Sequence, residues 1–103
     1  MKDKKPYNEE GKRHGHWERY WPNGQLQTIR YYDNGRKIGI HKDFYNNGDL
    51  DEFHEYFESG LVYSESFYSD KELAYKGYYL NNSEIGYWYE NFYSNNERFY
   101  YAR

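Results

Sequence analysis

Two short stretches decide the fold: "YWPNGQL" at residues 20–26 and "FYNNGDL" at residues 44–50. Each joins an aromatic doublet to an Asn-Gly turn and a leucine. Asn-Gly is the strongest short-range hairpin signal, because a type I′ turn needs positive φ at both central residues. We therefore expect such a turn at Asn23-Gly24 and a β-hairpin around each stretch.

The aromatic doublets recur along the whole chain and predict its strands. The doublets are Tyr20-Trp21, Tyr31-Tyr32, Phe44-Tyr45, Tyr56-Phe57, Phe67-Tyr68, Tyr78-Tyr79, Phe92-Tyr93 and Tyr100-Tyr101. The alternate doublets that begin at Tyr20, Phe44, Phe67 and Phe92 are 24, 23 and 25 residues apart. We therefore expect one doublet per strand, eight strands and four hairpins. Turn dipeptides interrupt every helical periodicity, and Tyr, Phe and Trp favour strands, so the pattern predicts an all-β chain.

The turn positions of the four units are not equivalent in sequence. Gly24 and Gly48 are followed by Lys71 and Asn96 at the same place in the later units. We expect a tight turn with positive φ at Gly48 but not at Lys71, so Gly48→Val should damage folding more than Lys71→Val.

Composition restricts the class of protein. The 103 residues suffice for one domain with a thin core. The mean hydropathy of −1.41 is typical of disorder, but 16 Tyr, 6 Phe and 3 Trp argue for a folded chain. No cysteine, secretory signal or membrane-spanning run is present, so we expect a cytoplasmic protein. We expect a flexible N-terminal segment at residues 1–10 and a repeat domain at residues 11–103.

The segment "GHWERYWPNGQLQTIRYYDNGRKIG", residues 15–39, resembles a MORN-type repeat of the bacterial YwqK-like antitoxin variant. The third unit departs from the pattern, with Val62 and Ser64 where Gly15 and Trp17 stand in the first. The resemblance implies an elongated, single-layer antiparallel sheet of about four stacked hairpins. It also implies a partner-binding, antitoxin-like role.

A single layer needs amphipathic cover on both faces, which tyrosine provides with its apolar ring and polar hydroxyl. We expect the better packed face to carry Trp17, Trp21, Leu26, Tyr32, Tyr45, Leu50, Tyr56, Tyr68, Leu73, Tyr79, Trp88 and Tyr93. The opposite face would carry Tyr20, Ile29, Phe44, Phe53, Phe67 and Phe92. One face should then expose an apolar strip of the kind that marks interaction sites.

Charge is distributed unevenly along the chain. Residues 1–48 hold ten Lys and Arg against six Asp and Glu, whereas residues 49–72 hold eight acids and Lys71 alone. Such an acidic stretch favours docking of a basic partner. The candidate partner-binding residues are Phe44, Asp49, Asp51, Glu52, Phe53, Glu55, Glu58, Glu65 and Phe67. A merely solvated face is the alternative interpretation.

The sequence offers little for catalysis. His14 and His16 have no third metal ligand, no serine lies in a nucleophile elbow, and no phosphate-loop or dinucleotide motif is present. We therefore expect no enzymatic activity, metal or cofactor. The stretch "KRHGHWERYW", residues 12–21, interleaves basic and aromatic residues as single-strand binders do, but a pI near 5.8 argues against nucleic acid. The sequence has no polybasic cluster of the kind that binds a membrane surface.

These observations favour a non-catalytic inhibitor that binds a basic protein, such as a toxin, a bacterial defence enzyme or an enzyme acting on nucleic acid. An antitoxin-like protein and a phage-encoded inhibitor belong to this class. The alternatives are a self-associating scaffold, such as a homodimer, and a single-stranded nucleic-acid binder.

Overall fold

The computed structural model describes residues 2–92 and 96–102 and shows one antiparallel sheet. Its strands are β1 (Gly15–Tyr20), β2 (Leu26–Asp33), β3 (Arg36–Lys37), β4 (Gly39–Phe44), β5 (Leu50–Tyr56), β6 (Leu61–Phe67), β7 (Leu73–Leu80), β8 (Ser83–Asn91) and β9 (Glu97–Ala102). They pair in the order β1-β2-β4-β5-β6-β7-β8-β9, while the two-residue β3 pairs with β2. The prediction of hairpins in a single sheet is confirmed, but the two-residue β3 is a ninth strand beside the eight that were predicted.

The sheet is a thin plate that measures 46 × 35 × 13 Å. All of the strands belong to one sheet, in which β1 and β9 stand at the two ends of the strand order, so the plate is a single layer with side chains on both faces. The described residues contain no helix, and hence none that is long and apolar enough to cross a membrane.

The turn at residues 21–25 differs from the expected type I′. The Trp21 amide donates to the Gln25 carbonyl at 2.8 Å, and the Gly24 amide donates to the Trp21 carbonyl at 2.9 Å. Gly24 has positive φ (88°), but Asn23 does not. This is a type I turn followed by one left-handed residue, so the prediction of a type I′ turn is wrong here.

The same three-residue loop recurs at residues 45–49, 57–61 and 68–72, with left-handed Gly48, Gly60 and Lys71. Lys71 has φ of 75°, so the prediction that Gly48 needs positive φ and Lys71 does not is wrong. Type I′ turns, with positive φ at both central residues, occur instead at Asn34-Gly35 and Asn81-Asn82. The predicted turn dipeptide at Asn95-Asn96 lies partly outside the described residues.

A β-bulge follows each of three turn loops and changes which residues pair. Tyr20 pairs with Leu26, although the sequence analysis expected these two residues on opposite faces. Phe44 pairs with Leu50 and Phe67 with Leu73 in the same way. The prediction that each leucine and the ring it pairs with lie on opposite faces is therefore wrong. The unpaired residues in the bulges are Gln27, Asp51 and Ala74. Each extra residue shifts the alternation of side chains by one position.

One face, the packed face, carries every buried ring. Its side chains include Trp17, Tyr32, His41, Tyr56, Ser64, Tyr79 and Trp88, as the strand pairing shows. Trp17, Tyr32 and Trp88 form the buried hydrophobic core, and His41 and Ser64 are almost completely buried. The predicted grouping of Trp17, Tyr32, Tyr56, Tyr79 and Trp88 on one face is confirmed.

The other face, the open face, carries Ile29 and Phe53 as predicted, together with Tyr31, Ile40, Tyr63, Tyr78, Tyr87, Phe99 and Tyr101. Six of these side chains are exposed: Tyr31, Ile40, Tyr78, Tyr87, Phe99 and Tyr101. Of the apolar strip predicted from the sequence, Phe92 is exposed, whereas Phe44, Phe53 and Phe67 are half-buried.

The second ring of alternate doublets connects successive hairpins. Trp21 Nε1 donates to the Phe44 carbonyl at 3.1 Å, and Tyr45 Oη donates to the Phe67 carbonyl at 2.7 Å. Tyr68 Oη donates to the Asn91 carbonyl at 2.5 Å. In these three doublets the first ring belongs to a strand, while the second lies in the turn loop and reaches the next hairpin. Tyr93, the next member of this series, lies outside the described residues.

The N-terminal segment, which the sequence analysis expected to be flexible, lies along the outer edge of β1. Lys4 and Glu18 exchange backbone hydrogen bonds of 2.9 and 3.0 Å. Trp17 Nε1 donates to the Pro6 carbonyl at 2.9 Å, and Tyr7 packs edge-on against Trp17 at 5.2 Å. The segment therefore pairs with part of β1 and covers the first tryptophan.

Candidate functional site

Four acidic residues of the middle hairpins concentrate where the strands end, along the side of the sheet that carries turn loops 21–25, 45–49 and 68–72. This acidic edge consists of Asp49, Asp51, Asp70 and Glu72, in or next to the adjacent turn loops 45–49 and 68–72. Its one cation is Lys71, whose Nζ lies 3.8 Å from Asp49 Oδ1. Burial raises the pKa of the Asp51 carboxyl, and the hydrogen bond from Tyr45 opposes that rise. The edge is thus a compact group of carboxylates with a single counter-charge.

The remaining predicted binding residues are spread over other surfaces. Glu52 is on the packed face, while Glu55 and Glu65 are on the open face with Phe53. Glu58 lies in loop 57–61, at the opposite edge of the sheet from the acidic edge. The nine predicted residues therefore do not form one continuous patch.

Lysines accompany the carboxylates of the open face. Lys42 pairs with Phe53, and Lys76 pairs with Glu65 on the next strand. The acidic excess read from residues 49–72 is therefore partly balanced on this face and persists at the acidic edge. Sequence counts could not show this, because the two lysines come from flanking strands.

Exposed rings cover the C-terminal end of the open face. Tyr87 is 81% exposed, Phe99 73% and Tyr101 63%. Tyr87 packs edge-on against Tyr101 with 4.8 Å between the ring centres, and Tyr89 contacts Phe99 at 4.9 Å. These rings form a contiguous aromatic surface that the sequence analysis did not single out.

A hydrogen-bonded series of Ser64, His54 and Glu52 lies on the packed face. Ser64 Oγ is 2.7 Å from His54 Nδ1, and His54 Nε2 is 2.9 Å from Glu52 Oε1. The order is that of a nucleophile, a base and an orienting carboxylate. Ser64, however, is completely buried, so in this conformation its hydroxyl cannot reach a substrate. The series satisfies a buried hydroxyl at the position that tryptophan fills in the first and fourth units.

Three arginines surround a small concavity on the packed face of the first hairpin. This arginine pocket, of about 200 Å³, is lined by Arg13, Trp17, Arg19, Thr28, Arg30 and Tyr32. The guanidinium of Arg13 lies 5.4 Å from the ring centre of Trp17 and 5.5 Å from that of Tyr32. The strand pairing places Trp17 beside Arg30 and Arg19 beside Thr28.

The pocket was not predicted from the sequence, which singled out only the basic and aromatic stretch of residues 12–21. Arg13 and Arg19 lie in the basic and aromatic stretch of residues 12–21. Arg30 follows on the next strand and joins them because it pairs with Trp17. The usable signal was the hairpin register, since residues equidistant from the turn share a face.

The described residues bring together no group of three or more His, Asp or Glu side chains able to hold a metal ion. Comparison of the chain with protein-family models, curated proteins and solved structures found no match.

Proposed function

We propose that the protein is a non-catalytic, cytoplasmic binding protein that docks a basic protein through its acidic edge, as an antitoxin or an inhibitor does. The observation that carries this proposal is the concentration of Asp49, Asp51, Asp70 and Glu72 around one lysine. The resemblance of residues 15–39 to MORN-type repeats of the YwqK-like antitoxin variant supports the same class. Partners in this class include toxins and defence enzymes that act on nucleic acid.

The acidic edge is suited to steering a partner. Its carboxylates lie in two adjacent turn loops, and the side chains of Asp49, Asp51 and Glu72 are half-buried against the loops. Fixed charges of one sign raise association rates by about 10–10³-fold with a complementary partner, and salt reduces the effect. Since Tyr45 and Tyr68 connect the same loops to their neighbouring hairpins, the charges are held in a defined arrangement.

Isosteric neutralisation tests the proposal. The quadruple variant Asp49→Asn, Asp51→Asn, Asp70→Asn and Glu72→Gln removes the charges and keeps the side-chain shapes. We expect it to associate with the basic partner captured from host cells at least about tenfold more slowly at low salt than the parent protein. Its association rate should also depend less on salt, as measured by stopped-flow at 50 and 500 mM NaCl.

A matched control separates the acidic edge from net charge. Glu9→Gln, Glu10→Gln, Glu84→Gln and Glu97→Gln also remove four negative charges, all outside the acidic edge. This control should keep the parent's association rate and salt dependence. An equal reduction in both quadruple variants, or in neither, would show that the acidic edge is solvated surface.

A second candidate function is self-association through the open face. It is favoured by the aromatic surface of Tyr87, Phe99 and Tyr101, the three most exposed large rings of the described chain. The mass of the protein in solution tests it. A homodimer that becomes a monomer in Phe99→Lys, with an unchanged dichroism spectrum, would favour this function, whereas a monomeric parent protein would exclude it.

A further inference from the structure

The arginine pocket holds positive charge that the chain does not neutralise. Arg30 Nη2 forms a 2.5 Å ion pair with Asp43 Oδ1, and Arg30 Nη1 donates to the Lys42 carbonyl at 3.1 Å. Arg13 and Arg19 have no carboxylate within ion-pair distance among residues 2–92 and 96–102. Two free guanidinium groups therefore converge on one concavity.

The pocket also supplies directional hydrogen-bond donors. Arg19 lies opposite Thr28 and diagonal to Arg30, so its guanidinium, the threonine hydroxyl and the Arg30 guanidinium project from the same face of adjacent strands. Guanidinium groups bind oxyanions by pairs of parallel N–H···O bonds. Arg30 is held in place by its bond to Asp43, which prearranges one wall of the site.

We propose that the arginine pocket binds the phosphate group of a small phosphate monoester. After the Arg30–Asp43 pair is balanced, Arg13 and Arg19 leave two positive charges, and a phosphate monoester carries about −1.5 to −2 at pH 7. A volume of about 200 Å³ accommodates one such group with part of its substituent. The buried rings of Trp17 and Tyr32 line the pocket, and the Arg13 guanidinium lies over both of them.

The surrounding charges favour a single phosphate over a polyanion. Beyond Arg30, the packed face carries Asp43 on β4 and Glu52 on β5, followed by Glu84 and Glu90 on β8. A nucleic-acid strand lying along this face would bring successive phosphates against those carboxylates. A compact ligand confined to the first hairpin avoids them.

This site is independent of the proposed docking function. It lies on β1 and β2 beside the N-terminal segment, whereas the acidic edge lies at turn loops 45–49 and 68–72. A negative result for phosphate binding would therefore leave the docking proposal unaffected, and the reverse also holds.

Titration calorimetry with inorganic phosphate and adenosine 5′-monophosphate tests the proposal. We expect saturable binding of both probes to the full chain, with inorganic phosphate competing against the nucleotide. Adenosine 3′,5′-cyclic monophosphate, a diester with one negative charge, should bind more weakly. Amide chemical shifts should change most at residues 13–19 and 28–32.

Arg19→Gln is the variant that decides the matter, because Arg19 is exposed and forms no ion pair whose loss would affect folding. It should weaken binding of adenosine 5′-monophosphate about tenfold or more, since it removes a guanidinium that donates paired, charge-assisted hydrogen bonds to the phosphate. Lys42→Gln removes one positive charge from the open face of the same region and should leave binding unchanged. Absence of saturable binding to the parent protein, or equal weakening in both variants, would overturn the proposal.

Discussion

Gly77 shows how a sheet with one layer obtains a core. The indole of Trp88 lies directly over this glycine, and a Cβ at position 77 would stand 2.1 Å from Trp88 Cδ2. Trp88 Nε1 is held at 3.2 Å from the carbonyls of Tyr78 and Ile85, so the ring cannot move aside without losing these bonds. Because Gly77 of β7 has no side chain, the indole of Trp88 on β8 can occupy the space above it.

Gly77→Ala should consequently reduce the free energy of unfolding by about 1–3 kcal/mol, the usual cost of overpacking. Chemical denaturation measures the loss. In a Trp88→Leu background, where the large ring is absent, the same alanine should cost much less. A cost that is equal in both backgrounds would show that Gly77 matters for a reason other than Trp88.

His41 occupies the tryptophan position of the second unit and resembles Trp88 in its contacts. Its Nε2 lies 2.9 Å from the Tyr31 carbonyl and 3.1 Å from the Ile38 carbonyl, and its Nδ1 is buried without a partner. Burial lowers the pKa of His41 below its ordinary 6.5, and the positive charges of Arg30 and Lys37 act in the same direction. Its hydrogen bonds to the two carbonyls oppose this shift.

Because the unfolded chain takes up this proton near pH 6.5 and the folded protein resists it, protonation of His41 favours unfolding. The contribution of His41 to stability should be constant above pH 6.5 and decrease as the pH falls below that value. Urea denaturation between pH 5 and 8 should therefore show a smaller decrease for His41→Gln than for the parent protein. Parallel pH profiles would contradict this assignment.

Among the elements, the three-residue turn loops differ in how well their sequences suit them. Their left-handed position holds Gly24, Gly48 and Gly60, but Lys71 has φ of 75° in the fourth. A residue with a Cβ costs roughly 1–2 kcal/mol in this conformation. The Asp70 carboxylate accepts a 3.0 Å bond from the Glu72 amide, but Asn23, Asn47 and Ser59 accept the same bond in the loops with glycine, so it does not offset this cost.

Lys71→Gly should raise the free energy of unfolding by about 1 kcal/mol, because glycine adopts positive φ without steric strain. Thermal unfolding gives the measurement. Lys71→Ala is the matched control, since it also removes the 3.8 Å ion pair with Asp49 but keeps the strain. If the alanine variant gained as much stability as the glycine variant, relief of strain would not be the cause.

The strands could be predicted from the sequence, whereas the turns and the arginine pocket could not be predicted fully. Rings at a spacing of 24, 23 and 25 residues identify the hairpins whatever the turn geometry. Asn-Gly suits both a type I′ turn and the longer loop, and the two differ in pairing by one residue. Pro22 held the missing information, because a two-residue loop at Asn23-Gly24 would need an amide hydrogen from residue 22.

The whole molecule is organised by contacts between neighbours. Along the main path each strand pairs with the strands beside it, and the long-range bonds of Trp21, Tyr45 and Tyr68 each reach the following hairpin. Charge follows the same geometry, with free arginines on the first hairpin and the acidic edge on the second and third. The position of a residue in the sequence therefore determines which hairpin, and so which part of the surface, it belongs to. Few compact domains have this simple relation between sequence and surface.

The bonds from Trp21, Tyr45 and Tyr68 have a mechanical consequence. Each bond joins one hairpin to the next, so a force applied between the chain ends loads the hairpins in series. A hairpin that detaches releases about 24 residues, or roughly 80 Å of extended chain. Under tension the plate should lengthen by separate steps of nearly equal size, one for each hairpin that detaches.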